Sequence, residues 1–210
     1  NNKRIKMINI VFYLIAYFLA AVPFGLVLAR LFAKVDIRSA GSGSIGATNV
    51  LRVVKESDPA LAKKLSIATI ALDALKGLVP LVVAKYCFGL GDSVLWAMAV
   101  LAVIGHCFSP YLLFNGGKGI ATGAGVMIFF LPLEVILALI AWFVVGKVLK
   151  ISSLASLSAV VVLIVSSFII HPQIEVINTH APVLIICFII VYKHWGNILR
   201  LITGKEKKVI

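Results

Sequence analysis

Two glycine-rich stretches hold the residues best suited to chemistry. The first runs Gly41-Ser42-Gly43-Ser44-Ile45-Gly46-Ala47-Thr48-Asn49-Val50-Leu51-Arg52, with glycines at the G-x-G-x-x-G spacing. Where no Cβ intervenes, consecutive backbone N–H groups can converge on an anion. Ser42, Ser44 and Thr48 add hydroxyls, and Arg52 adds a planar fork suited to phosphate. The stretch is a poor nucleotide fingerprint. No strand precedes it, and no acid follows at about 20 residues. Ala47 stands where a Walker loop needs lysine. Taken alone, the spacing fits a phosphate cradle and a flexible loop with helix-capping serines equally well.

The second stretch, Asn115-Gly116-Gly117-Lys118-Gly119-Ile120-Ala121-Thr122, ends where an apolar helix begins. Glycines, a lysine and a threonine at a helix N-terminus make a second anion site, with Lys118 as a point charge and Thr122 as a hydroxyl. A plain turn with a snorkelling lysine is the competing reading. A third polar cluster follows the last apolar run: His194, Asn197 and Arg200, then Gly204 and Glu206. If the helix continues, the first three fall on one side at i, i+3 and i+6. Lys205, Lys207 and Lys208 read as an ordinary basic membrane flank.

No protein nucleophile is advertised. There is no G-x-S-x-G, no H-E-x-x-H and no cysteine beside a base. The H-x-x-x-x-D pair of many glycerolipid acyltransferases is missing too, since Tyr111 follows His106 at that offset and Leu199 follows His194. No metal-ligand cluster assembles, and no cofactor is expected. Cys87, Cys107 and Cys187 are odd in number and scattered among apolar neighbours, which predicts packing as small hydrophobes.

The elements that must position these clusters are membrane helices. Hydrophobic residues make up 61% of the 210, charged residues 13%, and mean hydropathy is +1.10. Soluble domains average about 45–50% apolar and 25% charged. The apolar runs are continuous rather than alternating, which excludes an outer-membrane barrel. Length and Pro/Gly punctuation predict an all-α bundle of about seven spans in one domain, residues 1–210. They lie near 8–32, 65–88, 93–108, 120–131, 133–148, 153–170 and 180–195, with Pro23 and Gly25 able to kink the first. The span before Pro132 is short, so six spans with a re-entrant segment is the alternative. Asp73 and Lys76 lie inside a span at i, i+3 and are expected to pair. Ser153 and Ser156 are placed either to donate to a ligand or to bond across helices. His106 is placed to orient the second glycine loop. His171 and His180 fall at the opposite end.

The formal net charge is +12. Seven spans put Lys34, Arg52, Lys63, Lys118, Lys150, Lys193 and Arg200 on one side, and Lys3, Arg4, Lys6 and Lys85 on the other. Positive-inside then gives an outside N-terminus, a cytoplasmic C-terminus and two cytoplasmic glycine loops. Nucleic acid is excluded as a partner for want of a soluble basic face.

In order along the chain, the three clusters resemble the motifs of the bacterial membrane glycerol-3-phosphate acyltransferases that use acyl phosphate (PlsY-type). The family's G-S-G-N-x-G-x-x-N-x-x-R is matched by Gly41-Ser42-Gly43-Ser44-x-Gly46-x-x-Asn49-x-x-Arg52. Gly105-His106…Pro110 with Gly116-Gly117-Lys118-Gly119-x-Ala121-Thr122 is similar to the second motif. His194-x-x-Asn197-Ile198-x-Arg200-Leu201-x-x-Gly204-x-Glu206 is similar to the third. Asp73-x-x-Lys76-Gly77-x-x-Pro80 and Ser153-Leu154-Ala155-Ser156 add to the likeness, which covers nearly the whole chain. Ser44 departs from it: the family carries asparagine there, and a hydroxyl donates one hydrogen bond where an amide offers two.

The resemblance implies a seven-helix bundle in the bacterial inner membrane, working as a monomer with its active site at the cytoplasmic face. It implies acyl transfer from acyl phosphate to the sn-1 hydroxyl of glycerol-3-phosphate, giving lysophosphatidic acid and phosphate. His194, Asn197, Lys118 and Arg52 are the expected catalytic residues. Substrate binding is expected from Gly41, Ser42, Gly43, Ser44, Gly46, Thr48, Asn49, Gly116, Gly117, Gly119, Thr122, Ser153, Ser156, Arg200 and Glu206. The chemistry suits the residues. A mixed anhydride needs no covalent enzyme intermediate, so positioning and charge neutralisation can suffice. The proton of the attacking hydroxyl can go to His194 or to the donor's own phosphate. The rival class is a membrane protein that binds or transports organic phosphate. It needs an anion path, and charges within the spans are few: Asp73, Lys76 and Glu134.

Overall fold

The computed structural model describes residues 2–208, with side chains from Met7 onward. The basic side chains of Lys3, Arg4 and Lys6 therefore lie outside the described residues. Every regular element is helical: α1 (Asn2–Ala20), α2 (Phe24–Leu28), α3 (Ala47–Val54), α4 (Pro59–Tyr86), α5 (Asp92–Cys107), α6 (Ile120–Phe130), α7 (Pro132–Leu149), α8 (Ser152–Ile170), α9 (Ala181–Lys193) and α10 (Trp195–Ile202). A π-helical turn, Ala29–Ala33, extends α2, and a 3-10 turn, Pro110–Leu112, follows α5. α4, α7, α8 and α5 with its 3-10 turn are each long and apolar enough to cross a bilayer. From Met7 onward α1 with α2 and its π-turn, and α9 with α10, qualify as bent units, at 42° and 59°.

The bend in the first pair comes from Pro23, which cannot donate to the helix ladder. The break leaves Ala21 O without a backbone partner and gives Val22 O only the Phe24 N–H, at 3.1 Å, where hydrocarbon cannot solvate either. Ser109 donates its hydroxyl to Ala21 O at 2.7 Å, and Lys76 Nζ donates to Val22 O at 2.7 Å. The same ammonium meets Asp73 Oδ1 at 2.7 Å, so the expected i, i+3 pair exists and also braces the kink.

α6 is short for a reason that concerns the site. It has 11 residues and α7 has 18, and they share the turn at Leu131. At about 1.5 Å per residue, α6 stops about 10 Å short of the depth α7 reaches. The loop at its N-terminus, carrying Lys118, is thereby recessed into the bundle. α4 begins at Pro59, six residues before the expected Leu65, because Asp58 caps it by accepting the Leu61 N–H at 2.9 Å. The predicted polar loop is also not wholly loop, since α3 folds within it.

Two apolar cores result. The larger joins α1, α5, α6 and α9 around Met98, Val103, Met127 and Ile186. The smaller gathers α2, α3 and α4 around Leu26, Val50, Val54 and Leu65, and takes in Ile37 and Ile45. α6 lies close on α4 because Gly125 and Gly77 lack side chains: a Cβ at Gly125 would collide with Ala74 O. Cys107 and Cys187 are buried as expected, whereas Cys87 is exposed at the end of α4.

Candidate active site

Ile37 and Ile45 pin the first glycine loop from either side into the smaller core. Burial of each contributes about 1.5–3 kcal/mol. Between them the chain turns through Gly41 at φ +63° and Gly43 at φ +69°. Only glycine fits at 41, because a Cβ there would also strike Asn49 Oδ1. Asn49 is buried and its amide holds the loop. Its Oδ1 accepts the Ser42 N–H at 2.8 Å, and its Nδ2 donates to Ile37 O, Ala40 O and Ser44 O at 2.7, 3.2 and 2.8 Å. Through these bonds Asn49 scaffolds the loop, and it also lines the cavity that the loop borders.

The loop delivers Gly46, Ala47 and Thr48 to a large cavity at the start of α3, where the first helical N–H groups lack helical partners. Arg52 follows on the same helix. Thr48 Oγ1 lies 3.1 Å from Ser152 Oγ, tying α3 to the start of α8.

The second loop hangs from the end of α5. Gly116 N donates to Cys107 O at 3.2 Å and Gly117 N to His106 O at 3.0 Å. The His106 ring packs so closely on Gly117 that any side chain at 117 would overlap it. His106 thus orients this loop, as the sequence suggested. Lys118 and Gly119 face the cavity. Gly117 and Thr122 do not. The Thr122 hydroxyl is fully buried and donates to Asp73 O at 2.8 Å, so it joins α6 to α4.

The last helix does not continue through the third cluster. It breaks at His194, correcting the one-sided i, i+3, i+6 reading. The His194 Nδ1 lies 2.7 Å from Ile190 O. A carbonyl only accepts, so Nδ1 carries the hydrogen, and Nε2 of the neutral ring keeps its lone pair. The chain then turns at Gly204 and brings Glu206 back over α10. Glu206 Oε1 accepts from Ser153 Oγ and Asn197 Nδ2, each at 2.6 Å, and its Oε2 accepts from Arg200 Nε at 2.6 Å. Burial acts to raise the Glu206 carboxyl, but these three bonds outweigh it and hold it below the ordinary range. Glu206 is thus a knot joining α8, α10 and the C-terminal segment.

The cavity is about 1040 Å³. Around its mouth stand Arg52, Lys118, Arg200, His194, Asn197, Glu206, Ser153, Ser156 and the loop residues Gly41, Ser42, Ser44, Gly46 and Thr48, with Gly119 beside them. Gly43 and Gly116 line a smaller recess next to it. Burial lowers Lys118 to about 8; Glu206 pulls its pKa back up, and Arg200 and Arg52 push it further down. Three cations therefore crowd together, an arrangement that an anion would relieve. Below them the cavity continues between α4, α6, α7, α8 and α9, past Leu78, Met127, Ala138, Val160 and Ile186. Sequence reasoning missed Ser152, Lys205 and Lys207, which also line the mouth. The lysines carry no periodic signal, and only the turn at Gly204 brings them back.

A family model described as glycerol-3-phosphate acyltransferase matches residues 10–204. The chain belongs to this family. The glycerol-3-phosphate acyltransferase of Campylobacter lari is 66% identical over 204 residues, covering 97% of this chain and all of that one. That of Campylobacter concisus is 61% identical over the same length. Among solved structures, the glycerol 3-phosphate form of PlsY, an integral membrane glycerol 3-phosphate acyltransferase, superposes with a TM-score of 0.83. It is 34% identical, with 95% of this chain and 94% of that one covered. The lysophosphatidic acid form of PlsY gives 0.81 at 32% identity. Family members thus share with this chain both the helical bundle and nearly its full length.

Proposed function

We propose that this enzyme moves the acyl group of an acyl phosphate to the sn-1 hydroxyl of glycerol-3-phosphate. The products are lysophosphatidic acid and phosphate. One observation carries the reading: a cluster of Arg52, Lys118 and Arg200 opens directly into an apolar groove within a single cavity. That pairing suits a substrate set with two phosphates and one hydrocarbon chain. The PlsY forms with glycerol 3-phosphate and with lysophosphatidic acid carry a substrate and a product of this reaction by name.

In the step itself, the sn-1 oxygen forms a bond to the acyl carbon and the bond from that carbon to the bridging phosphate oxygen breaks. The hydroxyl proton passes to the departing phosphate, which is basic enough to take it. Lys118 and Arg52 offset charge on the phosphates as it builds, and the orphan N–H groups at the start of α3 add to this. His194 Nε2 and Asn197 position the acceptor, and Glu206 holds Asn197, Ser153 and Arg200 in register. The site faces the cytoplasm of a bacterial inner membrane, where glycerol-3-phosphate is dissolved. An anion transporter fits less well, because the lining away from the cationic cluster is mostly apolar and its buried carboxylate, Asp73, would repel a phosphate.

Purified enzyme in detergent, without compartments, is expected to form lysophosphatidic acid from palmitoyl phosphate and glycerol-3-phosphate. Sealed vesicles that take up glycerol-3-phosphate with no acyl donor, and make no lysolipid, would return the protein to the transport class.

A further inference from the structure

The reaction cavity is flanked by a second recess of about 430 Å³ that contains no acidic side chain. Arg38 and Lys193 line it without lining the first, and the two meet at Ser42, Ser44 and Lys118. Asn115 contributes an amide, and Ile45 is its one large apolar residue. Asp36 takes the Nε and Nη2 of Arg38, leaving Nη1 of the fork uncommitted. Lys193 sits over the Phe108 ring, 5.1 Å from its centroid, with no carboxylate partner among the described residues. Cations, hydroxyls and an amide, with a single large apolar side chain, fit a small multivalent oxyanion better than an acyl chain.

Acyl transfer makes two products of opposite solubility. The lysolipid can leave along the apolar groove, but phosphate must reach water without passing through hydrocarbon. We propose that the second recess is the release site for orthophosphate. Lys118, common to both recesses, passes the anion from the reaction cavity to Arg38 and Lys193. This inference rests on the acyl-transfer reading. A phosphate-bearing lipid headgroup has the same recognition chemistry, so the test must separate the two sources.

The test is equilibrium binding of radiolabelled orthophosphate to the intact protein in phosphatidylcholine nanodiscs. Wild type is expected to bind two phosphates per chain, one in each recess. Arg38→Gln with Lys193→Gln is expected to weaken the second by at least about tenfold, as charge-assisted bonds are lost, and to leave the first within about twofold. Lys193→Arg, which keeps the charge, should retain both and controls for folding. A wild type that binds one phosphate, or a double variant that still binds two, overturns the site. If phosphatidylglycerol nanodiscs abolish the second phosphate, the recess holds a lipid headgroup and the release role falls. Lysophosphatidic acid production by the same preparation separates the readings. Protein that makes the product yet binds one phosphate disproves only the release site, whereas protein that makes none overturns acyl transfer and release together.

Discussion

Asn49 accepts the Ser42 backbone N–H at 2.8 Å from a side chain that is almost fully buried. Through that bond and the two N–H bonds of its Nδ2, shared among three carbonyls, one amide fixes the curvature of the whole glycine loop. Asn49→Ala removes them together and leaves buried carbonyls unpaired. Each such loss costs about 1–3 kcal/mol before relaxation. The expected result is at least a hundredfold fall in kcat/KM, with the bundle still folded. Asn49→Asp should be no better, because its second oxygen would face three carbonyl oxygens. Steady-state kinetics with circular dichroism as the folding control checks both.

Lys118 gives the site a pH dependence of known sign. Burial lowers its pKa to about 8, so the ammonium is charged below that value and loses its proton as pH rises through it. Phosphate affinity should therefore fall above about pH 8 in the free enzyme, and binding there should take up a proton. Lys118→Arg keeps its charge far higher and should remove this limb of the profile. Calorimetry at pH 8.5 in two buffers of different ionisation enthalpy measures the proton uptake.

Glu206→Gln keeps an acceptor for Ser153 and Asn197 but turns an amide N–H₂ toward Arg200 Nε. The lost ion pair is partly exposed and worth no more than about 1 kcal/mol of stability. Its larger effect is on alignment, so kcat should fall more than melting temperature. Glu206→Ala, which frees all three donors, should be the more damaging of the two.

Within the groove, Ala138 on α7 and Val160 on α8 both line the cavity. Ala138→Phe should raise KM for palmitoyl phosphate severalfold and leave KM for glycerol-3-phosphate unchanged. A short acyl phosphate, whose chain ends above the obstruction, should escape the effect.

His194→Gln tests where the proton goes. With the substrate phosphate as base, the variant should lose rate uniformly from neutral to mildly alkaline pH and keep the shape of its profile. Loss of a pH limb on substitution would assign proton transfer to the imidazole.

Much of this architecture was legible because membrane spans announce themselves by uninterrupted apolar length. The kink at Pro23, the Asp73–Lys76 pair and the orienting role of His106 followed from local chemistry alone. Other features depend on where a turn sends the chain. Nothing in the spacing of Asn49 distinguishes a residue that binds phosphate from one that builds the cradle. Thr122 looked like a ligand because it opens a helix, yet its hydroxyl faces α4 and finds Asp73 O. The helix break at His194 has no proline or glycine at that position to mark it. Glu206, Lys205 and Lys207 reach the cavity only through the reversal at Gly204. The groove was invisible for a different reason: every helix is apolar, and only packing decides which faces meet lipid and which line a cavity.

Acyl transfer makes one claim that atoms can settle. Palmitoyl phosphate labelled with ¹⁸O at the bridging oxygen should be turned over with glycerol-3-phosphate and the products weighed by mass spectrometry. Attack at the acyl carbon sends the label into inorganic phosphate and leaves the new ester oxygen unlabelled. Label retained in palmitate would place attack at phosphorus, and turnover without glycerol-3-phosphate would mean attack by water; either contradicts the mechanism.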